Sequence, residues 1–469
     1  MVQKGHKKKE GGKDLGKLIH EHDAKLKGSL LWNILKQSLF AIIVGILALC
    51  LFNYMDTQVP EGVTEVWSAR ILDTSLRTMG KVILFLNNFG VHGGVCRFTR
   101  KGVDMMLTTL ITGSPFGLGS DPELKIYDTV FDGVGVRVYE PVNLKSNKRP
   151  ALVYYHGGGW SWLSVGRYPY RPSLAYYHHG GGWSWLSVDV YDGATRALAK
   201  RVGMVVVSVS YRQSPEHPHP IPFEDCLTAT KYVVNNAKSL HVDPSRVAIS
   251  GDSAGGHLSA AVAMAMKKEI KISVPIYPCL QLFDLQTPSY IENKDYIPGM
   301  LTDVSMLTYW LNYGNISYNY IDDILANRHT SQKLKESLYA KYVSPDWYMK
   351  EHIRTPSLRN MKKKTNFGKT ELSDKIQETI LNPDFSPLMV PDAKYKDLPL
   401  TYVLTAGYDV LRDDGLIYYQ RLKKAGAKVH LAHYADGFHG MIFFFDGPMP
   451  FQVGIRAMND LVEFLKKNL

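Results

Sequence analysis

The stretch Val247-Ala248-Ile249-Ser250-Gly251-Asp252-Ser253-Ala254-Gly255-Gly256 decides the fold. Its first four residues are an apolar, partly β-branched run that ends at a glycine, which reads as a short buried strand. The residues that follow, SAGGHLSAAVAMAMKK (253–268), are small and helix-compatible. Between strand and helix, Gly251-Asp252-Ser253-Ala254-Gly255 matches G-x-S-x-G. On a strand–turn–helix corner that pattern exposes a serine hydroxyl at the start of a helix. A plainer reading makes Ser253 only a helix N-cap after a Gly-rich turn. The residues further along the chain decide between the two.

Working outward, seven more short runs read as strands. They are 125–131, 136–141, 151–156, 204–211, 272–278, 400–406 and 429–435. Helical stretches at 190–201, 223–240, 253–268, 415–426 and 452–468 lie between or after them. Strands alternating with helices predict an α/β protein: an eight-stranded, mostly parallel sheet covered on both faces. The first two strands, joined at Asp132-Gly133, add an antiparallel edge. Residues 282–395 show no strand pattern, and an insertion of that length reads as a helical cap. The core is then 121–281 and 396–469, with helices of 56–120 contributing to the cap. Lys362-Lys363-Lys364 within the insertion reads as a solvated face.

A serine hydroxyl needs a base to become a nucleophile. Strand 400–406 is followed by Gly407-Tyr408-Asp409, and strand 429–435 by Asp436-Gly437-Phe438-His439-Gly440. Both residues follow strand ends, where an open α/β sheet places its site. Asp409 would orient the imidazole, and His439 would move the Ser253 proton. Asp413 and Asp414 are neighbouring acids that could cap a helix or take the acid role. His430 and His433 fall within a strand, and His217 and His219 within a Pro-rich loop, so all four read as structural. An oxyanion hole is offered by Gly157, Gly158 and Gly159 after strand 151–156, together with the N–H of Ala254. HGGGWSWLSV occurs twice, at 156–165 and 179–188, so Gly180, Gly181 and Gly182 form a competing copy. The first copy follows the more apolar strand and is preferred; the second directly precedes the 190–201 helix and stays open.

The chain has 469 residues and a net charge of +11, of which nine Lys and four acids in residues 1–36 contribute +5. The remaining +6 is too dilute for a nucleic-acid surface. Residues 37–55 carry no charge and span roughly 28 Å as a helix, about one bilayer core. The lysine-rich flank precedes this segment, so residues 1–36 are expected in the cytosol and the rest across the membrane. A cleaved signal peptide is the competing reading, disfavoured by a charged region of about 36 residues ahead of the apolar run. Cys50 lies in the anchor; Cys96, Cys226 and Cys279 would be lumenal, allowing at most one disulfide within the chain. Asn315-Ile316-Ser317 is a glycosylation sequon, usable if the body is lumenal.

HGGGW, GDSAGG, YDVLRDDG and DGFHG, in that order, resemble the arylacetamide deacetylase-like, hormone-sensitive-lipase-like group of α/β-hydrolases. The resemblance covers roughly residues 30–469. It implies a single-pass type II protein of the endoplasmic-reticulum membrane, hydrolysis of apolar esters or arylacetamides without a cofactor, and a triad of Ser253, Asp409 and His439. No metal or nucleic acid is implied; the partners are a small apolar ester or amide and the bilayer. Two departures stand out: the duplicated loop, and Ala406 where arylacetamide deacetylase has a cysteine beside its catalytic acid. An inactive ligand-binding protein on this fold, or an interfacial lipase or cholesteryl ester hydrolase, are the other readings.

Overall fold

The computed structural model describes residues 11–88, 105–114, 116–142, 148–158, 188–297, 299–362 and 368–469. Gly159, Gly180, Gly181, Gly182, Cys96, Lys363 and Lys364 lie outside them. The chain divides into two compact units between Asp56 and Thr57. The first holds one helix, Gly11–Asp56. Its stretch Leu31–Asp56 is long and apolar enough to cross a membrane, and none of its apolar window is buried. Trp32, near its start, is exposed and lies 5.2 Å from the Lys36 ammonium.

The second unit is built on eight strands: β1 (Leu124–Phe131), β2 (Val134–Pro141), β3 (Arg149–Tyr155), β4 (Val205–Ser210), β5 (Val242–Asp252), β6 (Ile272–Ile276), β7 (Leu400–Tyr408) and β8 (Val429–Phe438). Their order across the sheet is β1-β2-β4-β3-β5-β6-β7-β8. β1, β2 and β4 pair antiparallel, and every pairing from β4 to β8 is parallel. All eight strands read from the sequence are present. The inner parallel strands β4 and β6 are short and buried, as helices on both faces require: β6 is buried throughout, and β4 at all but its last residue, while the edge strand β8 is mostly half-buried or exposed. Each such Val, Leu or Ile contributes roughly 1.5–3 kcal/mol by leaving water.

Helices Asp192–Val202 and Gln452–Asn468 contact each other on one side of the sheet. Ile221–Asn235 and Ala254–Ala265 contact each other on the other side. The helix expected over 223–240 stops at Asn235. There the Asn236 amide bonds the Tyr232 carbonyl at 3.0 Å, and the chain turns; a side chain that competes for backbone partners favours a helix end.

Between β6 and β7 the described residues form helices and no strand, the longest being Asp303–Tyr313 and Thr370–Ile380. Thr302 and Ser305 make a reciprocal capping box at the start of the former. The segment after the membrane-type helix joins this region. Gln58 bridges Tyr296, its carbonyl accepts from Ile297 N–H, and Asp73 accepts from Gly299 N–H at 2.6 Å. Burial is the main influence on Asp73 and raises its pKa, against hydrogen bonds from Thr57, Gly299 and Arg77 that lower it.

Candidate active site

β5 ends at Asp252 and the next helix begins at Ala254, so Ser253 alone makes the corner. Its φ of 55° and ψ of −119° lie in a region that a side chain rarely occupies. Its hydroxyl caps no backbone N–H, which removes the N-cap reading. The corner is tied down by Ser253 N–H donating to Ile276 O at 2.9 Å. Glycine is required on both sides. A Cβ on Gly255 would lie 1.9 Å from the Tyr155 carbonyl oxygen, and one on Gly251 2.4 Å from the Gly255 backbone. Gly255→Ala is therefore expected to push β3 off the helix and destabilise the fold by about 3 kcal/mol or more. Gly119→Ala, with nothing near its Cβ, is the silent comparison in chemical denaturation.

β7 and β8 lie beyond β6, and their carboxyl ends bring Asp409 and His439 to this corner. His439 Nε2 lies 3.1 Å from Ser253 Oγ, and His439 Nδ1 lies 2.7 Å from Asp409 Oδ2. The other Asp409 oxygen, Oδ1, accepts from Leu411 N–H at 2.9 Å. All three side chains are buried. A hydroxyl, an imidazole and a carboxylate in one hydrogen-bonded line can move a proton off the hydroxyl and hold the resulting imidazolium.

The other acids and histidines are engaged elsewhere. Asp414 accepts from Leu280 N–H and Gln281 Nε2, and burial pushes its pKa up to about 7. Asp413 accepts from Ser289 N–H and pairs with Arg412. His433 is bonded to Thr405 within the sheet, and burial pushes its pKa down to about 3. His430 stacks on Tyr402. His219 sits edge-on to Tyr313 and Phe385, and burial lowers its pKa to about 4.

The loop after β3 corrects one expectation. Gly157 N–H donates to Tyr191 Oη at 2.9 Å and to Asp252 Oδ1 at 3.1 Å. It is committed to anchoring the loop rather than open to a ligand. Gly158 follows with φ of 98°, a glycine conformation. Ala254 opens its helix, so its N–H has no carbonyl one turn back. Asp252 also accepts from Tyr154 and Tyr191 hydroxyls, both at 3.0 Å, and thereby joins this loop to the Ser253 corner. Burial pushes the Asp252 pKa up to about 6, with the two tyrosine hydrogen bonds opposing it.

Two residues here escaped the sequence reading. Asp252 is the variable position of G-x-S-x-G, which carries no signal of its own. Tyr277 follows β6 with φ of 30°, and its buried ring lies 4.8 Å from His439 between centroids; only the tertiary fold brings it there. Among the described residues, no group of three or more His, Cys, Asp or Glu is arranged to hold a metal ion.

Comparison with known proteins agrees with this fold. A family signature described as an alpha/beta hydrolase fold matches residues 175–344 and 344–443. Arylacetamide deacetylase of Bos taurus is 35% identical over 438 residues, covering 90% of this chain and 98% of its own. The chain belongs to the arylacetamide deacetylase-like α/β-hydrolases. Neutral cholesterol ester hydrolase 1 of Mus musculus is 32% identical over 447 residues, with 91% and 98% covered. Among solved structures, a Pyrobaculum calidifontis esterase superposes with a TM-score of 0.55 at 24% identity, over 80% of this chain and 92% of its own. That likeness is one of fold. The family match begins at residue 175, just ahead of the second loop copy at 179–188, whereas β3 and the loop bonded to Asp252 are built from the first.

Proposed function

We propose that this α/β-hydrolase is a membrane-anchored serine hydrolase that cleaves apolar carboxylic esters or arylacetamides through an acyl-enzyme. The single observation that carries the reading is the Asp409–His439–Ser253 line, with Ser253 held on a strained corner. Ser253 Oγ attacks the substrate carbonyl while His439 Nε2 takes its proton. The imidazolium then protonates the leaving alcohol or amine. Water attacks the acyl-enzyme with His439 as base, and Ser253 leaves with its proton restored. Backbone N–H groups of Gly158 and Ala254 are assigned to the oxyanion, a role Gly157 cannot share.

Apolar substrate class rests on the names of two relatives, an arylacetamide deacetylase and a neutral cholesterol ester hydrolase. Anchoring rests on the exposed apolar helix and the lysines before it. The orientation that follows is type II, with the catalytic unit in the lumen of the endoplasmic reticulum. Asn315 is exposed beside Ser317, as glycosylation there requires.

The test is fluorophosphonate labelling of the detergent-extracted full chain, peptide mapping of the adduct, and turnover of matched acyl esters and arylacetamides. An adduct on the Ser253 peptide with ester or amide turnover is the expected result. A wild-type protein that neither labels nor turns over any of them would move the reading to a ligand-binding protein on this fold.

A further inference from the structure

The turn that carries Asp409 is gripped from outside the core. Gly407 O accepts from Arg354 Nη1 at 2.7 Å and from Asn293 Nδ2 at 3.2 Å. The same Asn293 amide donates to Asp409 O at 2.7 Å. Arg354 also bonds Asn293 Oδ1 through its second nitrogen, which fixes the direction of the amide. One guanidinium therefore holds one carbonyl beside the acid directly and aims an amide at two.

The residue between them is held as well. The Arg354 guanidinium lies 3.8 Å from the centre of the Tyr408 ring, and the Tyr296 ring meets Tyr408 edge-on at 4.7 Å. Glu292 accepts from Thr355 N–H at 3.0 Å and pairs with Arg412, so the segment bearing Arg354 is itself tied to the helix that follows Asp409. Asn293, Tyr296 and Arg354 all come from the insertion between β6 and β7.

We propose that Arg354, acting with Asn293, is a positioning residue for the Asp409–His439 pair, so that the insertion sets the alignment of that pair. The inference rests on the serine-hydrolase reading. Arg354 touches no reacting atom in that scheme. Its effect runs through the backbone at Gly407 and Asp409, and from there to the carboxylate that receives His439 Nδ1. An aligned carboxylate matters most when the imidazolium forms, so its loss falls on the chemical step and not on ground-state binding. Lysine is no substitute, because a single ammonium cannot hold Gly407 O, steer Asn293 and stack on Tyr408 together.

The experiment uses the full detergent-extracted chain as wild type, Arg354→Lys, Arg354→Met and Asn293→Ala. Two readouts are taken: kcat and KM for one soluble ester, and hydrogen exchange of the peptide covering 407–414. Arg354→Met is expected to lower kcat about 10- to 100-fold, the scale of a misplaced catalytic group, with KM within about threefold. Arg354→Lys should fall between it and wild type, and exchange at 407–414 should rise in both. Unchanged exchange in Arg354→Met overturns the grip whether or not the wild type turns over ester. Faster exchange with kcat within twofold of wild type overturns the positioning role, as does a change confined to KM. A wild type inert to fluorophosphonate and to esters overturns the serine-hydrolase reading, and the positioning role falls with it; in that case the exchange result still reports whether Arg354 holds the turn.

Discussion

Ser253→Ala is expected to abolish fluorophosphonate labelling and to lower kcat by about 10⁴- to 10⁶-fold, while leaving a folded, extractable protein. The asymmetry follows from what the hydroxyl touches. Its hydrogen-bond partner is His439 Nε2, and it caps no backbone group. Removing Oγ therefore leaves the corner's own fastening, Ser253 N–H to Ile276 O, unchanged. Alanine meets the same positive-φ penalty that serine already bears, so the backbone term cancels between the two proteins. The thermal midpoint should stay within a few degrees of wild type. Turnover within tenfold of wild type would remove Ser253 from the chemistry. A collapse of the midpoint would show that the corner depends on the hydroxyl after all.

Much of this arrangement was legible because the signals are local. VAIS followed by GDSAGG specifies strand, corner and helix within ten residues, and each glycine there meets backbone when given a Cβ. Asp409 and His439 were legible for a related reason: each follows a strand read from its own composition, and parallel strands deliver their carboxyl ends to one edge. What stayed hidden depends on packing between distant segments. Whether Gly157 N–H is open or spent depends on Tyr191 and Asp252, the latter 95 residues away. The roles of Asp413 and Asp414 depend on Ser289, Leu280 and Gln281, more than a hundred residues earlier. Arg354 carries no signal of its own in the sequence; its hold on the turn appears only with Gly407 and Tyr408 beneath it. The loop duplication is a different case, since two identical decapeptides contain no information about which one meets Asp252.

Asp409→Asn is expected to cost about 10⁴-fold in kcat, near the loss that a triad suffers when its imidazole is held in the wrong tautomer. The direction follows from the two oxygens of Asp409. Oδ1 accepts from Leu411 N–H at 2.9 Å, and Oδ2 faces His439 Nδ1 at 2.7 Å. An asparagine must keep its carbonyl oxygen on the Leu411 N–H, because an amide NH₂ there would leave two donors facing each other in a buried site. Its NH₂ then points at His439 Nδ1, which must accept, and the ring proton moves to Nε2. An Nε2–H cannot take the Ser253 proton, so attack is lost although every heavy atom stays in place. Fluorophosphonate labelling should slow together with turnover, since both need the same deprotonation. Stability should change little, because one buried hydrogen bond is exchanged for another of similar geometry. Asp413→Asn and Asp414→Asn supply the contrast: their partners are Ser289, Arg412, Leu280 and Gln281 and not the imidazole, so their cost should appear in the unfolding midpoint. A kcat loss in either that matched Asp409→Asn, or a loss below tenfold in Asp409→Asn itself, would place the orienting acid elsewhere.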